Sequence, residues 1–194
     1  QIAGRAGRFK NDGYFGITGD CENLEADEIE KIEKHNLDDM RFLYWRNSKL
    51  DFSNPESLIN SLEKKSGNRN LHKISESIDE NILKYLIRDK KIKITSSNLE
   101  LLCECCQIPD FQKKAFNHIE VVTKVFNFLN SGKNRIRNDY MKNQLKGLDK
   151  YHGNIDVISN KISNVRTWSY VANKKNWVEN SDYWIEAVSY THLT

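Results

Sequence analysis

The chain reads as mainly α-helical, a helical bundle that follows one short strand closing an α/β unit. Three observations predict this. Apolar residues return every three or four positions in successive windows between residues 29 and 172, whereas period-two alternation is confined to residues 14–18. Only 2 prolines and 9 glycines occur in 194 residues, which excludes collagen-like and Pro-rich chains. Charged residues make up 29% and hydrophobic ones 38%, enough apolar material for a core and too much for a wholly disordered chain.

The elements follow in order. Gly13, Gly16 and Gly19 punctuate the alternation Tyr14-Phe15-Gly16-Ile17-Thr18, so one strand is expected over 14–18, closing an α/β unit whose earlier strands are absent. Asp27 with Glu30 resembles a capping box, opening a short helix through Ile29 and Ile32 that ends near Asn36. Between Asp20 and Asp39, nine carboxylates face Lys31 and Lys34, a net of −7 and a solvated face turned from any polyanion. The run Phe42-Leu43-Tyr44-Trp45 is expected to be buried. Asn54 followed by Pro55 starts a helix through Leu58, Ile59 and Leu62, with a polar loop over 64–70. Asp79 can cap a helix through Ile82, Leu83, Leu86 and Ile87, and Ser97 another through Leu99, Leu102, Cys103 and Cys106 that stops before Pro109. Residues 115–130 put Val122, Val125, Phe126 and Leu129 on one face, and Tyr140, Leu145 and Leu148 mark the next helix. The longest pattern, Ile155, Ile158, Ile162, Val165, Ser169 and Ala172, has the spacing of a central bundle helix, with Trp168 beside the seam.

Several chemistries find no support in the sequence. No apolar run approaches the roughly 18 residues of a membrane span, and the opening residues are no signal peptide. Three of the four cysteines, Cys103, Cys105 and Cys106, crowd into one helix; they are expected to be helix thiols in a reducing, cytoplasmic compartment, and no metal site is expected. His35, His118 and His152 lack a nucleophile at recognisable spacing. Arg46 is expected to be a satisfied arginine beside a buried Trp45, with RNA contact as the other reading.

The sharpest constellation is Gln1-Ile2-Ala3-Gly4-Arg5-Ala6-Gly7-Arg8. Two arginines three residues apart can point to one side, and the glycine before each removes a side chain that would obstruct a close-lying ligand. A planar, permanently charged fork binds phosphate oxygens bidentately and can stabilise charge developing on a γ-phosphate. Gly/Arg segments also serve as RNA-binding tails or solvated turns.

The octet resembles motif VI of the superfamily 2 helicases, Q-x-x-G-R-x-G-R, and the following D-G-Y-F-G-I-T-G resembles the last strand of their second RecA-like domain. W-R-N-S-K-L-D-F-S (45–53), C-Q-I-P-D (106–110) and N-I-D-V-I-S-N-K-I-S-N-V-R-T-W-S-Y-V-A-N (154–173) are similar to the C-terminal region of the suppressor-of-var helicases, ATP-dependent RNA helicases of the mitochondrial degradosome and their bacterial relatives. The resemblance runs from residue 1 to about 186. It implies an end of the second RecA-like domain over 1–22, a helical accessory domain over 23–187, and a tail over 188–194 that is foreign or disordered, since the family pattern breaks after the Trp177 to Trp184 spacing. It implies Arg5 and Arg8 as catalytic arginine fingers on ATP, with Gln1, Gly4 and Gly7 completing the nucleotide-binding loop. ATP and Mg²⁺ are the implied cofactors, held mainly by a part of the enzyme outside these residues: no G-x-x-x-x-G-K-[ST] and no acidic Mg²⁺ box occurs in the chain, so it should not hydrolyse ATP alone. The implied partners are RNA, with DNA as the competing strand, and an exoribonuclease. The implied place is the bacterial-type cytoplasm, or the mitochondrial matrix in a eukaryote.

Charge agrees with a strand-binding role only in the second half. The net charge of +3 decides little, but residues 133–150 carry six basic side chains against Asp139 and Asp149, a net of +4, and Lys161, Arg166, Lys174 and Lys175 follow. Lys133, Arg135, Arg137, Lys142, Lys161 and Arg166 are the expected nucleic-acid contacts. Trp168, Tyr170 or Trp177 could offer a stacking face, though Trp168 reads as core. The competing reading is a non-catalytic helical module that binds RNA or docks a nuclease.

Overall fold

The computed structural model describes residues 6–7, 11–36, 39–40, 42–75, 77–89, 92–148 and 152–193, with 115–116 and 189–193 by backbone alone. Among them the chain is mainly α-helical, with eight helices and one two-stranded sheet. It divides into two compact units, Gln1–Leu43 and Tyr44–Thr194.

In the first unit, α1 (Ala26–Glu33) is opened by Glu25, whose N–H donates to the Glu28 carboxylate at 3.2 Å. The expected capping pair, Asp27 with Glu30, is displaced by two residues, because the helix begins at Ala26 and places Asp27 in its first turn. Asp27 and Glu28 there complement the positive end of the helix dipole. Residues 12–18 carry no regular element, so the strand expected over 14–18 does not form. A strand exists through ladder hydrogen bonds to a neighbour, and none of the described residues supplies one. Tyr14, Phe15, Ile17, Leu24 and Ile29 instead line one shallow hollow of ≈ 460 Å³.

The second unit holds the main core. Strand β1 (Leu43–Trp45) pairs with β2 (Leu71–Lys73), which the polar sequence around it concealed; the Ile74 N–H donates to Trp45 O at 3.0 Å. Burial of the run 42–45 is not observed: Phe42, Leu43 and Tyr44 are exposed and Trp45 is half-buried, since a two-stranded ribbon cannot cover both its faces. Helix α2 (Pro55–Glu63) follows the sequence reading closely. Asn54 accepts from the Ser57 N–H at 2.8 Å, and Pro55 occupies the first helical position, where a missing N–H is harmless.

Helices α3 (Ile78–Arg88), α4 (Leu99–Cys106) and α5 (Ala115–Leu129) then pack in sequence, α2 on α3, α3 on α4 and α4 on α5. Their caps are Ser77 and Asn98, each adjacent to or near the expected Asp79 and Ser97. Asp79, the second residue of α3, turns to Arg46 instead, while Asn98 accepts from the Thr95 N–H at 2.8 Å and donates to Lys93 O at 3.1 Å. Leu58, Leu83, Leu86, Leu99, Leu102, Val122, Val125 and Phe126 are all essentially without solvent contact. Each such side chain contributes about 1.5–3 kcal/mol relative to exposure. The helix thiols lie among them; burial pushes Cys103 up to about 11 and Cys105 up to about 12, and Cys106 in the same direction.

Helices α6 (Asn138–Leu145), α7 (Ile155–Asn173) and α8 (Ser181–Leu193) form the other side, α6 and α8 both packing on α7. Asn154 caps α7 by accepting from the Val157 N–H at 3.0 Å. The expected apolar seam is buried only from Val165 onward; Ile155, 82% exposed, and Ile158 and Ile162 face solvent. Periodicity reports which face is apolar, not what lies against it. Asn164, Arg166 and Thr167, from the middle of α7 onward, bind the segment that follows α4. Gln112 Nε2 donates to Asn164 Oδ1 at 2.7 Å, Arg166 sits 4.6 Å above the Phe111 ring, and the Thr167 hydroxyl donates to Pro109 O at 3.3 Å. The same segment is fastened to α5 by buried His118, whose Nε2 meets Ile108 O at 2.8 Å. Helix α8 runs through the residues expected to form a tail, and Val188 is buried within it. No helix among the described residues is long and apolar enough to cross a membrane.

Candidate nucleic-acid interface

Gln1, Gly4, Arg5 and Arg8 lie outside the described residues; of the nucleotide-binding set, only Gly7 is described. It adopts φ +71°, a left-handed conformation that a side chain resists. Gly13 approaches it so closely that a Cβ on Gly13 would fall well inside van der Waals contact of Gly7 N and Ala6 C. Gly13→Ala is therefore expected to force residues 6 and 13 apart. Amide exchange should accelerate across the first unit while the denaturation midpoint of the helical unit stays put; unchanged exchange would contradict this.

The basic residues occupy a segment pinned from both sides. Ile136 pairs with Val178 in a parallel bridge, its N–H donating to Trp177 O at 2.7 Å and its carbonyl accepting from the Glu179 N–H at 3.0 Å. The Asn138 N–H donates to the Glu179 carboxylate at 3.1 Å, and the Trp184 indole N–H donates to Asn138 Oδ1 at 2.8 Å. These bonds hold the start of α6 against α8. On one side, Lys133 and Arg137 join Lys124 around a groove of ≈ 460 Å³ whose apolar part is Phe128. On the other, Lys142 and Lys146 line an open cleft of ≈ 700 Å³ with Asp139, Asn143, Asn180 and Tyr183.

The structure thus brings Lys133 and Arg137 together, sets Lys142 in a separate cleft, and leaves Arg135 exposed but lining neither. Lys161 and Arg166 belong elsewhere, along α7, where Lys161 is half-buried and Arg166 covers Phe111. Arg137 is gripped through Nε and Nη2 by Asp139, with the Nε contact at 2.9 Å. That hydrogen bond and charge hold the Asp139 carboxyl below its usual range.

The aromatic residues sort differently from expectation. Trp168 is 2% exposed and Trp177 and Trp184 are 6% exposed, so all three are buried, although Trp184 borders the cleft. Tyr170 is half-buried under Lys174, 5.5 Å from its ring. The exposed aromatic in this region is Tyr183, 62% exposed, its ring edge-to-face on Trp184 with centroids 4.9 Å apart. Sequence reasoning missed it, because neighbouring aromatics carry no mark of which one faces out.

A second polar cluster joins the end of β1 to the start of α3. Arg46, from the end of β1, donates to both oxygens of Asp79 at 2.6 and 2.8 Å and to the Ser77 hydroxyl at 2.7 Å. Its Nε lies 3.3 Å from Glu80, whose side chain is 5% exposed and is also met by Lys73 at 3.0 Å. Arg46 is satisfied at both terminal nitrogens, as expected, but its buried Nε and the facing Glu80 Oε1 make no hydrogen bond, and its neighbour Trp45 is only half-buried. Burial alone would raise the Asp79 carboxyl; the hydrogen bond and charge of Arg46 outweigh it and hold it below its ordinary 3.8. Because the folded pKa lies below the unfolded one, the pair's contribution is complete above the unfolded value and is lost as pH falls through the folded one. Asp79→Asn should cost about 1–2 kcal/mol at pH 7, at the low end for charged hydrogen bonds because the pair is partly wetted. Urea titrations at neutral pH and at pH 3 check it, since the variant should lose less stability on acidification than the parent chain.

Among the described residues no group of three or more His, Cys, Asp or Glu side chains is placed to hold a metal ion. Comparison with protein-family models, curated proteins and solved structures returns no match.

Proposed function

We infer that this chain is the C-terminal part of an ATP-dependent RNA helicase of the suppressor-of-var type, its first residues ending the second RecA-like domain and its helical unit serving as an accessory wall of the strand channel. One observation carries the reading: Gln1-Ile2-Ala3-Gly4-Arg5-Ala6-Gly7-Arg8 matches every fixed position of motif VI. The left-handed Gly7, packed on Gly13, is in keeping with the reading, since the motif fixes a glycine at that position.

In this role Arg5 and Arg8 bind the triphosphate and stabilise charge gathering on its γ-phosphate, and Gln1 positions it. ATP with Mg²⁺ supplies the anhydride whose cleavage drives the motor. The helical unit contributes Lys133, Arg135, Arg137, Lys142, Lys161 and Arg166 to the RNA backbone by displacing counterions.

The 194-residue chain is expected to bind single-stranded RNA with salt-dependent affinity and to turn over no ATP by itself. Turnover by the isolated chain would refute the assignment. The alternative, a non-catalytic RNA-binding or nuclease-docking module, is favoured by one observation: the basic groove and cleft both belong to the helical unit, which has its own core. A coding sequence that carries a P-loop and an acidic Mg²⁺ box upstream of Gln1 decides for the helicase.

A further inference from the structure

Resting on the RNA-binding part of that reading, we propose that the cleft between α6 and α8 is a single-stranded RNA subsite, in which a nucleobase stacks on Tyr183 and the phosphates flanking it meet Lys142 and Lys146. Tyr183 is backed by a second ring. Its ring leans edge-to-face on interior Trp184, and Trp184 is fixed in turn by its hydrogen bond to Asn138. A large aromatic ring held in place yet left open to solvent is prepared for a flat partner, and every base has one.

The charges around it agree. Lys142, on α6, and Lys146, the residue that ends it, both line the cleft. Asp139 is the one carboxylate among the residues lining the cleft, and Arg137 engages both of its oxygens, so the cleft presents net positive charge. Asn143 and Asn180 add side-chain amides, each able to donate to and accept from a base edge. The volume of ≈ 700 Å³ accommodates a base with its sugar and phosphate, within the range of about 300–1,000 Å³ typical of ligand clefts. An acidic peptide would use the lysines but brings no base to stack on the ring.

Fluorescence anisotropy with the whole chain and a short labelled oligouridine tests the assignment. Tyr183→Ala should weaken binding about tenfold or more, while Tyr183→Phe, which keeps the ring, stays near the parent value. The double change Lys142→Gln with Lys146→Gln should reduce the slope of log affinity against log salt by about 1.4, two single-strand phosphate contacts at about 0.7 each. Lys65→Gln, on the exposed loop after α2, should change neither. Unaltered affinity in Tyr183→Ala overturns the proposal, as does polyglutamate competing as well as RNA at equal charge. Were Tyr183→Ala to perturb folding, the salt slope of the lysine pair decides. The helicase assignment fails separately, through ATP turnover that ignores the motif arginines, so the two can be told apart.

Discussion

Replacing Arg8 by Ala in the proposed parent helicase is expected to lower RNA-stimulated ATP turnover by about 10³–10⁵-fold, the range an arginine finger supplies in phosphoryl transfer. RNA affinity should stay within about twofold, because the lost charge acts on the phosphate and not on the strand. Arg8→Lys should recover little: an ammonium keeps the charge but loses the planar fork that meets two oxygens at once. Initial-rate ATPase assays beside RNA titrations separate the outcomes. An equal loss in both would instead place Arg8 on the strand and favour the non-catalytic module. Arg5→Ala should behave alike, since the motif presents the two arginines as a pair.

The largest structural effect is expected at Trp168. It is 2% exposed, and its indole meets the Tyr140 ring edge-on with centroids 5.8 Å apart, while Tyr140 packs on Phe128 at 4.8 Å. One ring therefore links α7 to α6 and, through Tyr140, to α5. Trp168→Ala removes that link and leaves a cavity, costing about 3–5 kcal/mol, a large share of the roughly 5–15 kcal/mol that holds a domain folded. Ile158→Ala, on the exposed half of the same helix, should stay within about 0.5 kcal/mol of the parent chain. Urea denaturation followed by circular dichroism measures both. A Trp168→Ala chain with intact stability and impaired RNA binding would return that residue to the surface role the structure denies it.

What could be read from the sequence was whatever a short window contains. Asn54-Pro55 announces α2 because a cap and a fixed φ act within four residues, and the three-and-four spacing of Val122, Val125, Phe126 and Leu129 marks the core face of α5 by itself. Caps slipped by a position or two, since Asp79 or Ser97 is chemically as able as Ser77 or Asn98, and only the rest of the fold chooses between them. The exposed isoleucines of α7 and the open ring of Tyr183 were illegible because exposure depends on what other elements cover. The Arg46 cluster was beyond reach for the same reason: Arg46 and Asp79 lie 33 residues apart, and nothing local pairs them. Of the candidate site, the lysines were visible as composition, whereas the division of them between a groove on α5 and a cleft on α8 required coordinates.

The short segment after α4 carries a mechanical implication. Ile108, Pro109, Phe111 and Gln112 are each fastened to α5 or α7, by a ring nitrogen, a hydroxyl, a guanidinium and an amide. Four residues so anchored act as a cross-brace: any sliding of α5 past α7 strains all of these attachments together. Displacing one helix along the other therefore requires the His118 bond to α5, or the three contacts to α7, to stretch or break.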